Sequence, residues 1–187
     1  MRERKTRYVI LGLLSEEPSS GYDIRKTIEM RFKFFWQESY GQIYPELARL
    51  EKEGLISIIP QKEETKRTRK VYQITESGKE ALRSWLLLSP EREARRYEIL
   101  LKLYFGNLIP VEQLVRYISH FRHSHYEELQ ILKHVESDLK GILNQHENHI
   151  YILMTVLLGL KVNAAYVEWA DEITEMLNEL KNNEEKK

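Results

Sequence analysis

The chain has 187 residues, of which 42% are hydrophobic and 31% are charged. This composition is typical of a soluble globular protein with one or two small domains, and it excludes a largely disordered chain. The absence of cysteine excludes disulfide frameworks, cysteine-based zinc sites and thiol nucleophiles. The formal net charge is zero, but residues 1–87 carry 17 basic against 13 acidic residues, whereas residues 88–187 carry 12 against 16. The first half is therefore the better candidate to face a polyanion.

The N-terminal region does not resemble a secretory signal, because its charged start is followed only by the short apolar stretch at residues 9–14. The longest apolar run, residues 150–160, is shorter than the roughly 20 residues that span a bilayer as a helix. We therefore expect a cytoplasmic protein without a membrane partner.

The first 88 residues follow the element order of a winged helix-turn-helix. Apolar residues recur at helical spacing in three segments, residues 5–15, about 20–32 and 43–53. Two short β-branched runs follow, residues 56–59 and 71–75. Thr75 or Ser77 can then cap a fourth helix that ends near Leu88. We predict a DNA-binding domain over residues 1–88, made of helices and one β-hairpin, within a mainly α protein.

The remaining residues, 89–187, predict an all-α domain that ends in a frayed charged tail. Three helices are expected, over about residues 91–105, 111–144 and 148–180. The short turn between the last two predicts an antiparallel pair. Residues 150–160 are apolar nearly all round their helix, and a helix of this character is buried on every side. A three-helix arm cannot supply that cover, so we predict a homodimer that forms through the C-terminal helices.

Two segments carry residue types that suit DNA. The start of a recognition helix needs small or polar residues that reach base edges, and Gln42 is suited to a bidentate contact with adenine. The candidates there are Ser39, Tyr40, Gly41, Gln42, Tyr44 and Pro45. The hairpin loop, or wing, offers cations for phosphates or the minor groove. Its candidates are Lys62, Lys66, Arg67, Arg69 and Lys70. The alternative interpretation is a structural helix start beside a solvated loop.

Several motifs resemble those of PadR-like transcriptional regulators with a long helical arm of the virulence-activator type. They are Gly21-Tyr22-Asp23-Ile24, Gln42-Ile43-Tyr44-Pro45, Glu53-Gly54-Leu55 and Lys70-Val71-Tyr72-Gln73-Ile74-Thr75, followed by Gly78 and Leu82. The second half is similar to the family's arm in length, helicity and aromatic placement. The resemblance implies a homodimer on a pseudo-palindromic operator, with Tyr22, Gln42 and Tyr44 among the DNA contacts. It also implies repression that a small aromatic compound relieves.

The arm holds a candidate effector pocket and all six histidines. Aromatic residues near the domain junction and along the last helix can line such a pocket, although aromatic stripes are more often plain core. The pocket candidates are Trp85, Tyr151, Tyr166 and Trp169. His146 and His149 lie one helical turn apart, but no ligand motif accompanies them, so we expect surface or interface histidines and no metal site.

Signatures of enzymes are missing from the sequence: there is no glycine-rich phosphate loop, nucleophile elbow or paired-histidine zinc motif. We expect neither catalysis nor a cofactor. The leading hypothesis is a homodimeric, sequence-specific transcriptional repressor. The alternatives are an activator on the same fold, an adaptor that binds proteins instead of DNA, and an enzyme built in the arm. Salt-dependent binding to duplex DNA separates a regulator from an adaptor.

Overall fold

The computed structural model describes four stretches of the chain, residues 5–36, 40–60, 69–91 and 96–184. They belong to two units, Met1–Arg92 and Glu93–Lys187. The first unit combines helices with a small sheet, and the described part of the second is entirely helical apart from its turns. The mainly α fold predicted from the sequence is confirmed.

The first unit contains four helices and three short strands. In chain order they are α1 (Thr6–Glu16), β1 (Ser19–Ser20), α2 (Gly21–Thr27), α3 (Ile43–Lys52), β2 (Ile56–Ile58), β3 (Val71–Ile74) and α4 (Glu76–Leu86). A π-helical turn, Ile28–Phe32, continues α2, and a 3₁₀ turn, Tyr40–Gln42, leads into α3. The predicted hairpin gains a third strand, because β1 pairs with β3. A strand of two serines has no periodicity that could have predicted it.

Local chemistry fixes where these helices begin and end. The Ser20 hydroxyl accepts a hydrogen bond from the Asp23 backbone N–H at 3.3 Å, which caps α2. The Thr75 hydroxyl caps α4 by accepting from the Gly78 N–H at 3.1 Å. Helix α3 ends just before Gly54, whose φ of 73° lies in the left-handed region that favours glycine. These signals are local, which is why the sequence located most helix ends within a few residues.

The sheet of the first unit is antiparallel, with strand order β1-β3-β2. Ser20 pairs with Val71, and Ile58 pairs with Tyr72. The core of this unit joins residues from α1, α2, the π-helical turn, α3 and β2, all of them at most 2% exposed: Ile10, Leu11, Ile24, Ile28, Ile43, Leu47, Leu50 and Ile56. Fully burying such side chains contributes about 1.5–3 kcal/mol each, so this unit has a core of its own.

The second unit is built around two long helices. Its helices are α5 (Glu98–Tyr104), α6 (Val111–Ile142) and α7 (His149–Glu184). Buried residues on α7 recur every seven positions at Val156, Asn163, Ala170 and Leu177, with Leu153 three positions before the first, which is a heptad pattern. Helix α6 also contributes buried apolar residues, namely Leu114, Ile118, Leu132 and Leu139. The two helices form the antiparallel pair that the sequence predicted.

Polar contacts set the register of this pair. Arg122 donates to both carboxylate oxygens of Asp171, at 2.5 and 3.2 Å. The ammonium group of Lys181 lies 3.7 Å from the Glu112 carboxylate, which carries the pairing towards the end of α7. This contact, with the packing of Leu177, explains why α7 continues to Glu184 beyond its predicted end near residue 180. The predicted fraying therefore does not begin at residue 181.

Helix α5 begins later than the sequence predicted. Arg96 and Tyr97 lie outside any helix, and α5 starts at Glu98 rather than near residue 91; residues 92–95 lie outside the described residues. Tyr97 has extended backbone angles, with φ −115° and ψ 103°. Its hydroxyl lies 2.6 Å from that of Tyr166 on α7. A tertiary contact thus holds a residue that helical propensity alone would have placed in the helix.

Helix α7 is more apolar than the sequence analysis allowed. Its mean hydropathy reaches 1.7 over an 18-residue window, so by length and composition it is long and apolar enough to cross a membrane. The uninterrupted run at residues 150–160 is one part of this longer helix, and core helices of soluble proteins reach the same length and hydropathy. Only 17% of that window is buried within the chain. Large apolar side chains are exposed there: Ile150, Tyr151, Met154, Leu157 and Leu158.

Candidate nucleic-acid interface

Helix α3 has one buried face and one exposed face. Ile43, Leu47 and Leu50 are completely buried and fix the helix against α1 and α2. The opposite face carries Pro45, Ala48 and Lys52, all exposed. Because an α-helix turns once in about 3.6 residues, these three positions form one stripe along the helix. We call Pro45, Ala48 and Lys52 the outer stripe.

At the N-terminal end of the outer stripe, the side chains of Pro45 and Ala48 are short and project little from the helix. Short side chains let a helix backbone approach the floor of a DNA major groove closely. Tyr44, which is 57% exposed, borders the stripe on one side, and Arg49 borders it on the other. The contact residues predicted on this helix ended at Pro45 and did not include Ala48, Arg49 or Lys52. Helical spacing from Pro45 would have identified them.

The pairing of β1 with β3 brings the base of the wing next to the start of α2. Arg69 and Lys70 directly precede β3, and Gly21 and Tyr22 directly follow β1. The Arg69 guanidinium carbon lies 4.6 Å from the centre of the Tyr22 ring, a cation–π contact. A surface groove results, which we call the wing groove. Three segments line it, namely the end of β1 with the start of α2, the first turn of α3, and β3 with the two residues before it. The lining residues are Ser20, Gly21, Tyr22, Tyr44, Arg69, Lys70 and Tyr72.

Gly21 makes the close approach of α2 and α3 in this groove feasible. A Cβ atom at this position would lie 2.8 Å from Cε1 of Tyr44 and 3.1 Å from a methyl group of Leu47. A larger residue would therefore push the Tyr44 ring away from the groove. This packing is a physical reason for a glycine at the start of the motif Gly21-Tyr22-Asp23-Ile24.

Tyr72 lies under the groove and is nearly buried. Burial raises the pKa of its phenol above the ordinary value of 10.0, and the neighbouring Glu51 carboxylate and Tyr44 raise it further. The Tyr72 hydroxyl is therefore neutral throughout the physiological pH range. The two cations Arg69 and Lys70 lie on the same groove, which gives it the charge that a phosphate requires.

The structure brings together Tyr22, Tyr44, Arg69 and Lys70 of the predicted DNA-binding residues. Gly41 is exposed in the turn before α3, Tyr40 begins that turn, and Gln42 ends it. Pro45 lies on the outer stripe. Other predicted residues lie outside the described residues, namely Ser39, Lys62, Lys66 and Arg67. Their roles stay predictions.

The four predicted effector residues are divided between the two units of the chain. Trp85 belongs to the first unit, where its ring stacks on Tyr8 with centroids 4.4 Å apart. Tyr151 lies fifteen positions before Tyr166, roughly 22 Å along α7 by the helical rise, and its side chain is exposed. Tyr166 and Trp169 do meet, because both pack edge-on against Phe121 at 5.6 and 5.4 Å.

Tyr166 and Trp169 belong to an aromatic cluster with polar edges that the sequence did not predict as a unit. The His125 ring lies 4.5 Å from Tyr166 and 4.3 Å from Phe121. His125 Nδ1 lies 2.7 Å from the side-chain oxygen of Asn163, which is buried. The polar groups at the edges of these rings bond within the chain: the Tyr166 hydroxyl lies 2.6 Å from that of Tyr97, and the Asn163 amide N–H donates to the Gly159 carbonyl at 3.0 Å. We call Phe121, His125, Asn163, Tyr166 and Trp169 the arm cluster.

The other histidine pair is arranged for the turn between α6 and α7. His149 Nδ1 donates to the Ile142 carbonyl at 2.8 Å, whereas His146 Nδ1 accepts from the Asn148 backbone N–H at 3.0 Å. The neutral His146 ring therefore carries its proton on Nε2, which leaves no free lone pair for a metal. Within the described stretches of the chain, no group of three metal-ligating side chains occurs.

Comparison with known proteins agrees with this geometry in both units. The model of the PadR-like family of transcriptional regulators matches residues 10–84, and the model of the virulence activator alpha C-terminal region matches residues 95–178. A negative transcriptional regulator, PadR of Bacillus subtilis, is 30% identical over 188 residues, which cover 94% of this chain and 98% of that protein.

Two crystal structures of Bacillus subtilis PadR extend the comparison. The complex with operator DNA has a TM-score of 0.80 at 29% identity and covers 95% of this chain and 99% of that chain. The complex with p-coumaric acid has a TM-score of 0.71 at 29% identity and covers 94% of this chain and 99% of that chain. The similarity therefore spans the winged helix and the helical arm alike.

Proposed function

The chain belongs to the PadR-like family of transcriptional regulators, and we propose that it is a homodimeric, cytoplasmic repressor that binds a pseudo-palindromic operator. The observation that carries this proposal is the wing groove beside an exposed recognition helix. The groove presents two cations and two tyrosines at one edge of α3, and the outer stripe leaves that helix free to enter a major groove. A relative with the same fold is known in complex with operator DNA.

The division of labour in this proposal follows from residue chemistry. Gln42 and Tyr44, at the start of α3, contact base edges, because a recognition helix reads bases with its N-terminal residues. Tyr22, Arg69 and Lys70 hold the phosphate backbone, which positions the protein without carrying sequence information. The predicted wing cations Lys62, Lys66 and Arg67 extend the same contact.

Dimerisation is the second part of the proposal. The apolar side chains of α7 are exposed in the single chain, and the arm of a second copy can bury them. The interface would then be formed by the same surface of both copies. Two winged helices are then held at a fixed separation and bind half-sites one or more helical turns apart. The symmetry of the protein is thus matched by the pseudo-palindromy of the operator.

The third part of the proposal is a small aromatic effector that releases the DNA. The arm cluster supports it through the rings of Phe121, Tyr166 and Trp169, which lie beside the bonded pair His125 and Asn163. The p-coumaric acid complex of a relative indicates the class of molecule, an aromatic ring with a phenol and a carboxylate. The predicted roles of Trp85 and Tyr151 in binding the effector stay predictions.

Binding to duplex DNA tests the function directly. The intact protein should bind the region upstream of its own gene, and the logarithm of its affinity should fall linearly with the logarithm of salt concentration, by about 0.9 for each phosphate neutralised. Gln42→Ala should reduce the preference over scrambled DNA, whereas Arg69→Ala should weaken binding to both sequences alike. Absence of binding at low salt, or binding that salt does not weaken, would contradict the proposal and favour an adaptor.

Titration with p-coumaric acid tests the effector separately. We expect the compound to lower the apparent affinity for DNA in the wild-type protein and to have no effect after Tyr166→Ala. Replacing Tyr151, an exposed residue of the same helix, serves as the matched control. If Tyr166→Ala leaves the response unchanged, the arm cluster is not the effector site, whatever the outcome for DNA binding.

A further inference from the structure

Helix α3 contains a buried carboxylate where an apolar residue would be expected. Glu46 lies on the inner face of the helix with Ile43, Leu47 and Leu50, and its side chain is only 5% exposed. Removing a carboxylate from water is costly unless a cation or several hydrogen bonds compensate for it. An apolar residue of similar size would fill the core at least as well, so packing does not account for Glu46, although a carboxylate suits the first turn of a helix.

The partner of Glu46 is Arg49, one turn further along α3. The guanidinium Nη1 donates to a carboxylate oxygen of Glu46 at 3.3 Å, while the Arg49 side chain remains 52% exposed. One end of the pair is thus fixed in the core and the other faces solvent. Anchoring a long side chain in this way removes part of its rotational freedom and fixes the direction of its remaining N–H donors.

Arg49 also lies where a base-reading residue is useful. It borders the outer stripe on the side away from Tyr44, and the short side chains of Pro45 and Ala48 allow the helix backbone to come close to the base edges. The characteristic arginine contact in the major groove is bidentate, from two guanidinium N–H groups to O6 and N7 of guanine. A pre-oriented guanidinium loses little freedom when it makes that contact.

We propose that Arg49 is a specificity-determining residue that reads one guanine in each half-site, and that Glu46 is the positioning residue that aims it. This inference rests on the proposed function, since it assigns a base contact within the same interface. It adds to Gln42 and Tyr44 a third reading position, about two turns beyond Gln42 along the chain.

Selection from a random duplex library with the full-length protein tests the inference. The wild-type protein should select a two-part site that contains a strongly preferred guanine at one position of each half. For Arg49→Gln we expect the preference for guanine at that position to fall roughly tenfold or more, with the preferences elsewhere unchanged. Lys52→Ala is the matched control on the same helix, and it should lower affinity for all sequences alike.

Two substitutions of Glu46 separate positioning from a structural role. Glu46→Leu should relax the preference at the Arg49 position only, while its thermal unfolding midpoint equals or exceeds that of the wild type. Glu46→Gln keeps an oxygen that can accept from Arg49, and it should restore most of the preference. A structural role would instead lower the unfolding midpoint and weaken binding to every sequence.

The results distinguish failure of the inference from failure of the function. If the wild-type protein selects a site but Arg49→Gln leaves every position unchanged or weakens all of them equally, Arg49 does not read a base. If Glu46→Leu matches the wild type at the Arg49 position, Glu46 does not aim it. If the wild-type protein selects no sequence, the proposed function is wrong and the inference falls with it.

Discussion

The two units of this chain bury their apolar residues in opposite ways. The winged unit places its core isoleucines and leucines almost completely out of solvent within one chain. In the arm, Leu114, Ile118 and Leu132 are buried between α6 and α7, but many equally large side chains face solvent. They include Leu100, Leu101, Tyr104, Leu108, Tyr151, Met154 and Leu158.

This difference is the reason to assign the proposed dimer contact to the arm. Burying an apolar surface contributes about 25 cal/mol for each Å² removed from water, so an arm that leaves its apolar face exposed gains stability when another arm covers it. The winged unit, with its core closed, is free to present a polar surface to DNA. Substitutions in the arm should therefore change assembly first, and substitutions in the winged unit should change DNA affinity first.

The largest effect on assembly and on DNA affinity is expected from placing charges on the exposed apolar face of α7. The double substitution Met154→Glu and Leu158→Glu places two charges on that face, where a partner helix would have to bury them. We expect light scattering to give the mass of a single protomer. Affinity for a two-half-site duplex should fall on the order of a hundredfold or more, because the second half-site no longer binds intramolecularly.

Glu175→Lys is the matched control for this double substitution. Glu175 is an exposed charged residue of the same helix, roughly 100° away from Leu158 around the helix axis. It should leave the mass and the affinity unchanged. A dimer that survives the double substitution would show that α7 is not the interface.

A smaller effect, on stability, is expected from replacing the polar pair His125 and Asn163 of the arm. Asn163→Leu removes the buried amide that bonds to His125 and to the Gly159 carbonyl, which should lower the free energy of unfolding by about 1 kcal/mol. Replacing both residues with leucine should recover most of that loss, because no buried polar group then lacks a partner. Chemical denaturation of the single and double variants measures this. Equal destabilisation by both would contradict it.

The contact between Tyr22 and Arg69 should have a more modest effect. Tyr22→Phe keeps the ring on which the guanidinium lies, whereas Tyr22→Ala removes it. A cation–π contact at an exposed site contributes about 0.5–1 kcal/mol, so Tyr22→Ala should weaken DNA binding only several-fold through this contact. If Tyr22→Phe weakens binding as much as Tyr22→Ala, the hydroxyl rather than the ring carries the role.

The smallest effect concerns Tyr72 and is confined to alkaline solution. Burial raises the pKa of Tyr72 in the folded state, so the unfolded chain loses that proton at lower pH than the folded chain does. The associated stability is fully present below about pH 10 and declines as the pH rises above it. Tyr72→Phe should therefore show a shallower decline in unfolding free energy above pH 10. Parallel curves would contradict the assignment.

The sequence predicted those features that depend on local patterns. Periodicity located the helices, β-branched runs located β2 and β3, and the motif around Gln42 and Tyr44 located the start of the recognition helix. Features that depend on tertiary contacts were missed. The pair of serines that forms β1 has no pattern that predicts a strand. Because the pairing of β1 with β3 brings Arg69 to Tyr22, that contact could not be predicted either. The anchoring of Tyr97 by Tyr166, and of Arg49 by Glu46, depends likewise on the folded arrangement of the chain.

The mass of the protein–DNA complex tests the central claim most directly. Light scattering on the intact protein with a short duplex from its selected site should give two protomers on one duplex, across a range of protein concentrations above the dissociation constant. A complex of one protomer with one duplex, or no complex at low salt, would contradict the account of two winged helices held together by their arms.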